Sequence, residues 1–512
     1  MSNHILSTEL LHWYFSLFNS EDEEYYINTV DNAHAAAFME ERTPLFSCPD
    51  KEMEKTYYFR WWVYRKHLKL VNGGYVVTEF LPEVYWAGTY NTILLAAGQH
   101  IMEGRWLRDT AIIEDYSRFW YQRCEKSRYY TTTVPFAVER FCDVLGDYTV
   151  AQPILKGMAE DYRQRERGIM ELGVFMSKRE CGLFFNTDNM DGGEYSIGGD
   201  GYRPYCNCAM YGNAAAIARL ADRLGFEEMA REFGEKASRL GEKIEDLLWN
   251  EKHRFFEVRR EDGSMSDVRE LYGYAPWYFG TGRHAHADCW AELVKADGFS
   301  APYGLTYPEQ RHRDFSLLYM GHECQWNGPI WPYATSITLT ALANYLEEDE
   351  SAIIGKREYF DILSRYARSH RRIDESGRVK MWIDENQNPY TGEWMSRTIL
   401  QNGPADRITE RGKDYNHSTF CDLIITGLVG LRPDSGERLT LRPLLPQNTW
   451  DYFCLDGISY HGHDICIVWD KNNQQYGRGK GLCIWVDGHL EAQSETLGPL
   501  EISLKTSTEG GA

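Results

Sequence analysis

The chain has 512 residues, 43% hydrophobic and 26% charged, which gives enough apolar mass for a large packed core and excludes a disordered chain. A formal net charge of -21 excludes nucleic acid and an anionic membrane surface as partners, because both require a basic face. No run approaches the roughly 20 apolar residues that span a bilayer, and Met1–Ser7 lacks a basic-then-apolar leader pattern, so a soluble, cytoplasmic protein is expected.

Residues 1–50 are acidic and weakly patterned, and read as a cap or as strands that join a later module. Residues 51–432 have a helical texture. Glu83–His100 and Asp109–Tyr121 predict a first pair of helices. Asn213–Leu224, stopped by Gly225, and Phe226–Leu248 predict a second, the latter with Met229, Ala230, Phe233, Ala237, Leu240, Ile244 and Leu247 on one face. Between helices, Leu248–Asn250 and His253–Val258 predict a short aromatic strand before a turn at Glu261–Ser264. Pro332–Tyr345 and Lys356–Ser369 follow, then an apolar helix over Thr419–Leu428. Paired helices with almost no strand alternation predict stacked helical hairpins, a mainly α (α/α)6 barrel, rather than an alternating βα barrel.

Residues 433–512 change texture. Arg438–Leu444, Asp464–Trp469 and Leu482–Val486 read as strands, and Asp487-Gly488 as a hairpin turn, so a small β-sandwich-like module is predicted. The 12 cysteines lack regular spacing; Cys206 and Cys208 are closer than the usual zinc pair, and reduced thiols are expected. The 16 Trp, 34 Tyr and 22 Phe often sit beside polar residues, as in Tyr57–Trp62. Such rings stack on sugar C–H faces, and they are also large core fillers.

Four inter-helix loops concentrate Trp, Gly, Asp and Glu: Glu103–Asp109, Thr187–Glu194, Glu323–Trp331 and Asp384–Glu393. If each borders one barrel mouth, their carboxyls converge. Glycoside hydrolysis needs such a pair, one protonated to deliver a proton to the leaving oxygen and one ionised to activate water.

These segments resemble the inverting glycosidases of family 63, including the mannosylglycerate hydrolase-like branch, over residues 80 to 430 or so. Glu385-Asn386-Gln387-Asn388-Pro389-Tyr390-Thr391-Gly392 looks like the family's E-N-Y-N-P-x-T-G loop, which implies Glu385 as general base. Trp326-Asn327-Gly328-Pro329-Ile330-Trp331 resembles W-R-G-P-[IV]-W, with Asn327 in place of Arg. Trp106-Leu107-Arg108-Asp109 resembles W-x-W-D, which implies that Asp109 holds the terminal sugar. Met190-Asp191 stands where the family has E-S-G-M-D-N-S, which implies Asp191 as general acid, with Glu194 competing for that role. Glu323, Tyr415 and His417 are further candidates for binding substrate.

The resemblance thus implies an exo-acting, inverting hydrolase of an oligosaccharide or glycoside, without cofactor or metal. Each residue also has a structural reading: Glu385 as a turn cap, Asp191 as an Asx turn, Asp109 as the complement of a helix dipole, and Trp326 and Trp331 as core fillers. Two alternatives keep the fold: an enzyme for L-sugars of the α-L-rhamnosidase or β-L-arabinofuranosidase type, and a non-catalytic carbohydrate-binding barrel.

Overall fold

The computed structural model describes residues 4–127, 129–171, 174–348, 353–374, 376–403 and 410–504. Among the described residues, two short helices come first, α1 (Glu9–Glu21) and α2 (Ala35–Glu40). Outer and inner helices then alternate around a barrel. The outer ring comprises α3 (Lys51–His67), α5 (Ala111–Gln122), α7 (Leu155–Arg167), α9 (Glu227–Leu248), a 3-10 segment at His284–Val294, and α12 (Lys356–Ser369). The inner ring comprises α4 (Leu94–Gly104), α6 (Val134–Leu145), α8 (Pro204–Arg223), α10 (Ala275–Phe279), α11 (Pro332–Glu348), and a last segment at Leu423–Leu428. Each inner helix packs on the next. The ring closes where the Glu103 carboxylate, at the end of α4, accepts backbone N–H groups of Phe420, Cys421 and Asp422.

Small residues let the inner ring close tightly. A Cβ on Gly98 would lie 1.9 Å from Thr133 Oγ1, and one on Gly212 would lie 2.5 Å from Phe279. The outer helices follow the sequence pattern: α9 buries Phe233, Ala237, Leu240, Ile244 and Leu248, and α12 spans the residues expected. Helix α8 starts at Pro204 rather than Asn213, with proline in its first turn, where its missing N–H costs nothing.

Two expectations are corrected. The helix expected from Glu83 begins only at Leu94, because Tyr90 and Asn91 have positive φ (61° and 64°) and the Asn91 amide donates to Phe80 O and Pro82 O. The segment expected at Thr419–Leu428 is wound as a π-helix over Leu423–Leu428. There the Tyr359 hydroxyl inserts beside Gly427 and donates to Leu423 O at 3.2 Å, the kind of intrusion that opens a helical ladder.

The C-terminal part is a five-stranded antiparallel sheet in the order Leu45–Ser47, Tyr452–Tyr460, His463–Asp470, Gly481–Val486, His489–Ser494, beside a three-stranded sheet of Leu431–Arg432, Arg438–Leu441 and Leu500–Ser503. Asp487 and Gly488, both at positive φ, make the expected hairpin turn. Helices α1 and α2 pack against α3, and Leu45–Ser47 supplies the edge strand of the five-stranded sheet. Among the described residues no helix is long and apolar enough to cross a membrane.

Candidate active site

The loops that lead into the N-terminal ends of the inner helices enclose a cavity of about 990 Å³. The segment before α4 supplies Glu79, Phe80 and Trp86, and the segment before α8 supplies Asp188, Asn189 and Glu194. Glu323, Cys324, Trp326 and Trp331 come from the segment before α11, and Glu385, Arg411, Tyr415 and His417 from the long connection into the last inner segment.

Backbone hydrogen bonds stitch these loops together. Trp326 N donates to Glu194 O at 2.9 Å, and Ile330 and Gln387 exchange two N–H···O bonds. The Asn386 amide donates to Glu323 O at 2.9 Å. The turn after Glu385 is closed by Asn388 Oδ1, which accepts from Tyr390 N and Thr391 N, so turn formation does not occupy the Glu385 carboxylate.

Arg411 organises the acidic side of the cavity. It pairs with Glu323 at 2.6 Å and with Glu385 at 3.3 Å, and its guanidinium lies 5.1 Å from the Trp86 ring. Burial pushes the Glu323 carboxyl up, but Arg411 overrides this and holds it below the usual range. The Cys324 thiol donates to Glu385 Oε1 at 3.3 Å; burial, then Glu385, push it well above the ordinary thiol range. Asp384, wholly buried next to Glu385, is pushed up to about 6 by burial and then by the Glu385 charge. Burial drives the His417 imidazole down to about 3, leaving it neutral, with Nε2 3.1 Å from Glu79 O. Trp326 and Trp331 stack at 4.0 Å with an interplanar angle of 6° in the cavity wall. A wall of paired carboxylates and stacked aromatics offers hydrogen-bond acceptors for hydroxyls and flat faces for a sugar ring.

A family model for the mannosylglycerate hydrolase MGH1-like glycoside hydrolase domain matches residues 89–418. The chain belongs to this glycoside hydrolase family. The family 65 glycosyl hydrolase C-terminal domain matches residues 431–490. Among solved structures, a protein named sialidase is 37% identical over 97% of this chain, with a TM-score of 0.89. This chain spans 44% of the length of that protein. The family 63 mannosylglycerate hydrolase from Thermus thermophilus, solved in complex with glucose, is 13% identical, with a TM-score of 0.51 over 72% of this chain and 98% of its own. A family 78 rhamnosidase of Bacillus sp. GL1 is 12% identical, with a TM-score of 0.52 over 84% of this chain and 40% of its own. These two distant structures share the fold.

In this member of the family, the cavity gathers Glu194, Glu323, Trp326, Trp331, Glu385, Tyr415 and His417 from the expected set. Four expected residues lie elsewhere. Trp106 and Asp109 follow the C-terminal end of α4, at the far end of the barrel: the Trp106 indole donates to Asp422 at 2.7 Å, and Asp109 pairs with Arg42 at 3.1 Å. Asn327 is buried behind the wall, with its amide 2.8 Å from Met320 Sδ.

Asp191 is wholly buried beneath the cavity loop. Its Oδ1 accepts from Thr131 Oγ1 at 2.6 Å and Asn186 Nδ2 at 3.0 Å, and its Oδ2 from Arg203 Nε at 2.7 Å. Burial pushes this carboxyl up against the pull of Arg203, and it does not line the cavity. Gly192 then turns the chain at φ 62°, where a Cβ would lie 2.3 Å from Leu95, and the loop delivers Glu194 to the wall. Among the described residues no cavity group of three His, Cys, Asp or Glu side chains converges closely enough to hold a metal.

Sequence reasoning did not single out Arg411, Cys324 or Glu79 as site residues. Arg411 sits in the polar run Glu410–Ser418, the one signal that could have found it.

Proposed function

We propose that this glycoside hydrolase is exo-acting and inverting, with Glu385 as general base and Glu194 as general acid. Glu385 takes a proton from the water that attacks the anomeric carbon. Glu194 gives its proton to the glycosidic oxygen as the bond from the anomeric carbon to that oxygen breaks. Inverting enzymes hold their carboxyls about 6.5–9.5 Å apart, with the water between them. The observation that carries this reading is that Glu194 and Glu385 line one cavity, whereas Asp191 is saturated by three donors behind it. Loops on several sides of the cavity favour a terminal sugar over the interior of a chain. Asp191 is reassigned to holding the loop through Arg203.

The test is hydrolysis of a panel of α-mannosides, α-glucosides, sialosides, α-L-rhamnosides and β-L-arabinofuranosides, followed by proton NMR at early times. Inverted product is expected. Glu194→Gln should lose about 10³-fold on alkyl leaving groups and far less on dinitrophenyl glycosides, which leave without protonation. Retained configuration would reject the inverting reading. Full activity of Glu194→Gln on alkyl glycosides would reject the acid.

A further inference from the structure

In the C-terminal sheet, far along the chain from the catalytic loops, Cys454 and Asp456 share one face of their strand, because side chains alternate. Cys466 pairs directly with Asp456 across the ladder. All three are buried, and one ligand atom of each lies within 4.8 Å of the others. The two sulfurs are 3.8 Å apart. That is far beyond the ~2.05 Å of a disulfide, and it matches the edge of about 3.8 Å between two thiolates bound at about 2.3 Å to a tetrahedral zinc. A cavity of about 100 Å³, bordered by Ile5, Asp456, Asp464, Cys466, Arg478 and Trp485, adjoins the cluster.

The Asp456 carboxylate is also the anchor of the N-terminal segment. It accepts from Ile5 N at 2.6 Å and Leu6 N at 2.8 Å, and its Oδ1 lies 3.4 Å from His4 Nδ1.

We propose that Cys454, Cys466 and Asp456 bind a zinc-type divalent cation that fastens the N-terminal segment to the C-terminal sheet. The ion is structural and takes no part in glycoside hydrolysis. The alternative for the same sulfur spacing is an S–H···S contact that binds nothing.

The deciding experiment is cobalt(II) titration of the whole chain after chelator treatment. A thiolate-to-cobalt charge-transfer band saturating at one ion per chain is expected. The Cys454→Ser/Cys466→Ser variant should lack the band, contain no zinc as isolated, and lose the rise in Tm that zinc gives the parent. No band in the parent, equal zinc in the variant, or a thiol count showing these two cysteines joined would each overturn the proposal. The parent titration stands alone if the variant does not fold.

Discussion

The two ends of the barrel are made from the same helices, yet their charges do different things. At the N-terminal mouth, Asp188, Glu194, Glu323 and Glu385 border open volume. At the opposite end, arginines meet the helix C-termini. Arg105, just past α4, pairs with Asp422 at 2.8 Å, and Arg432 donates to Ala343 O and to Asn344 near the end of α11. What separates the two ends is whether the charged groups border the candidate active-site cavity. Charges have protein partners at both ends, but at the mouth the Glu323–Arg411–Glu385 group also lines a cavity open to a ligand. Two Trp-bearing loop motifs, Trp106–Asp109 and Trp326–Trp331, fall at opposite ends and so have different surroundings.

The largest effect expected at the mouth is that of Glu385→Gln. Loss of the base should lower kcat about 10³- to 10⁴-fold, or about 4–5.5 kcal/mol in barrier, while Tm moves by no more than about 2 °C. Stopped assays at saturating substrate, paired with calorimetry, would show this. A variant with normal kcat would mean that the mouth is not the site.

Next is the Asp191–Arg203 pair, which the comparison assigns to scaffold although it lies near the mouth. Arg203→Met leaves a buried carboxylate without its partner, and breaking such a pair costs about 3–5 kcal/mol. Urea unfolding should show that loss, and the residual folded fraction should keep its KM. Asp191→Asn should likewise lower stability. If instead Asp191→Asn abolished kcat at unchanged stability, the acid would return to Asp191.

The legibility of the sequence follows the same division. Helix α12, the buried face of α9 and the Asp487-Gly488 turn were readable because periodicity and turn chemistry are local. The Glu385–Gly392 loop was picked out by its family resemblance; it reaches the cavity, and Asn388 closes its turn. The placement of Asp109 was not readable, because only the direction of α4 decides which end of the barrel its following loop reaches. Asp191 and Glu194, three residues apart, were not separable either: Gly192 at positive φ sends one inward to Arg203 and the other to the cavity. The Cys454–Asp456–Cys466 cluster depends on strand register, which no spacing rule for metal ligands reports.

Asp384 gives a smaller, pH-dependent effect. Its carboxyl is raised from 3.8 to about 6 in the folded protein. Between these values the folded state keeps a proton that the unfolded chain releases, so stability falls as pH rises through the window, by up to about 3 kcal/mol. Asp384→Asn removes that penalty. Denaturant unfolding at pH 4, 5, 6 and 7 should show the variant gaining on the parent as pH rises. A constant difference across the series would mean that Asp384 is not held protonated.

The smallest effects should come from the far end, where they test the comparison most sharply. Trp106→Phe keeps the ring and loses the indole bond to Asp422, a charge-assisted bond worth about 1.5–3 kcal/mol. Asp109→Asn loses a partly exposed pair with Arg42, worth about 0–1 kcal/mol. Both variants should show the parent's KM and kcat on whichever glycoside the panel identifies, with Tm lowered clearly by the first and barely by the second. The family-motif reading predicts the reverse for Asp109, a sugar ligand whose loss raises KM without touching Tm. A tenfold rise in KM for Asp109→Asn would place that loop at the site and undo the assignment of the barrel's two ends.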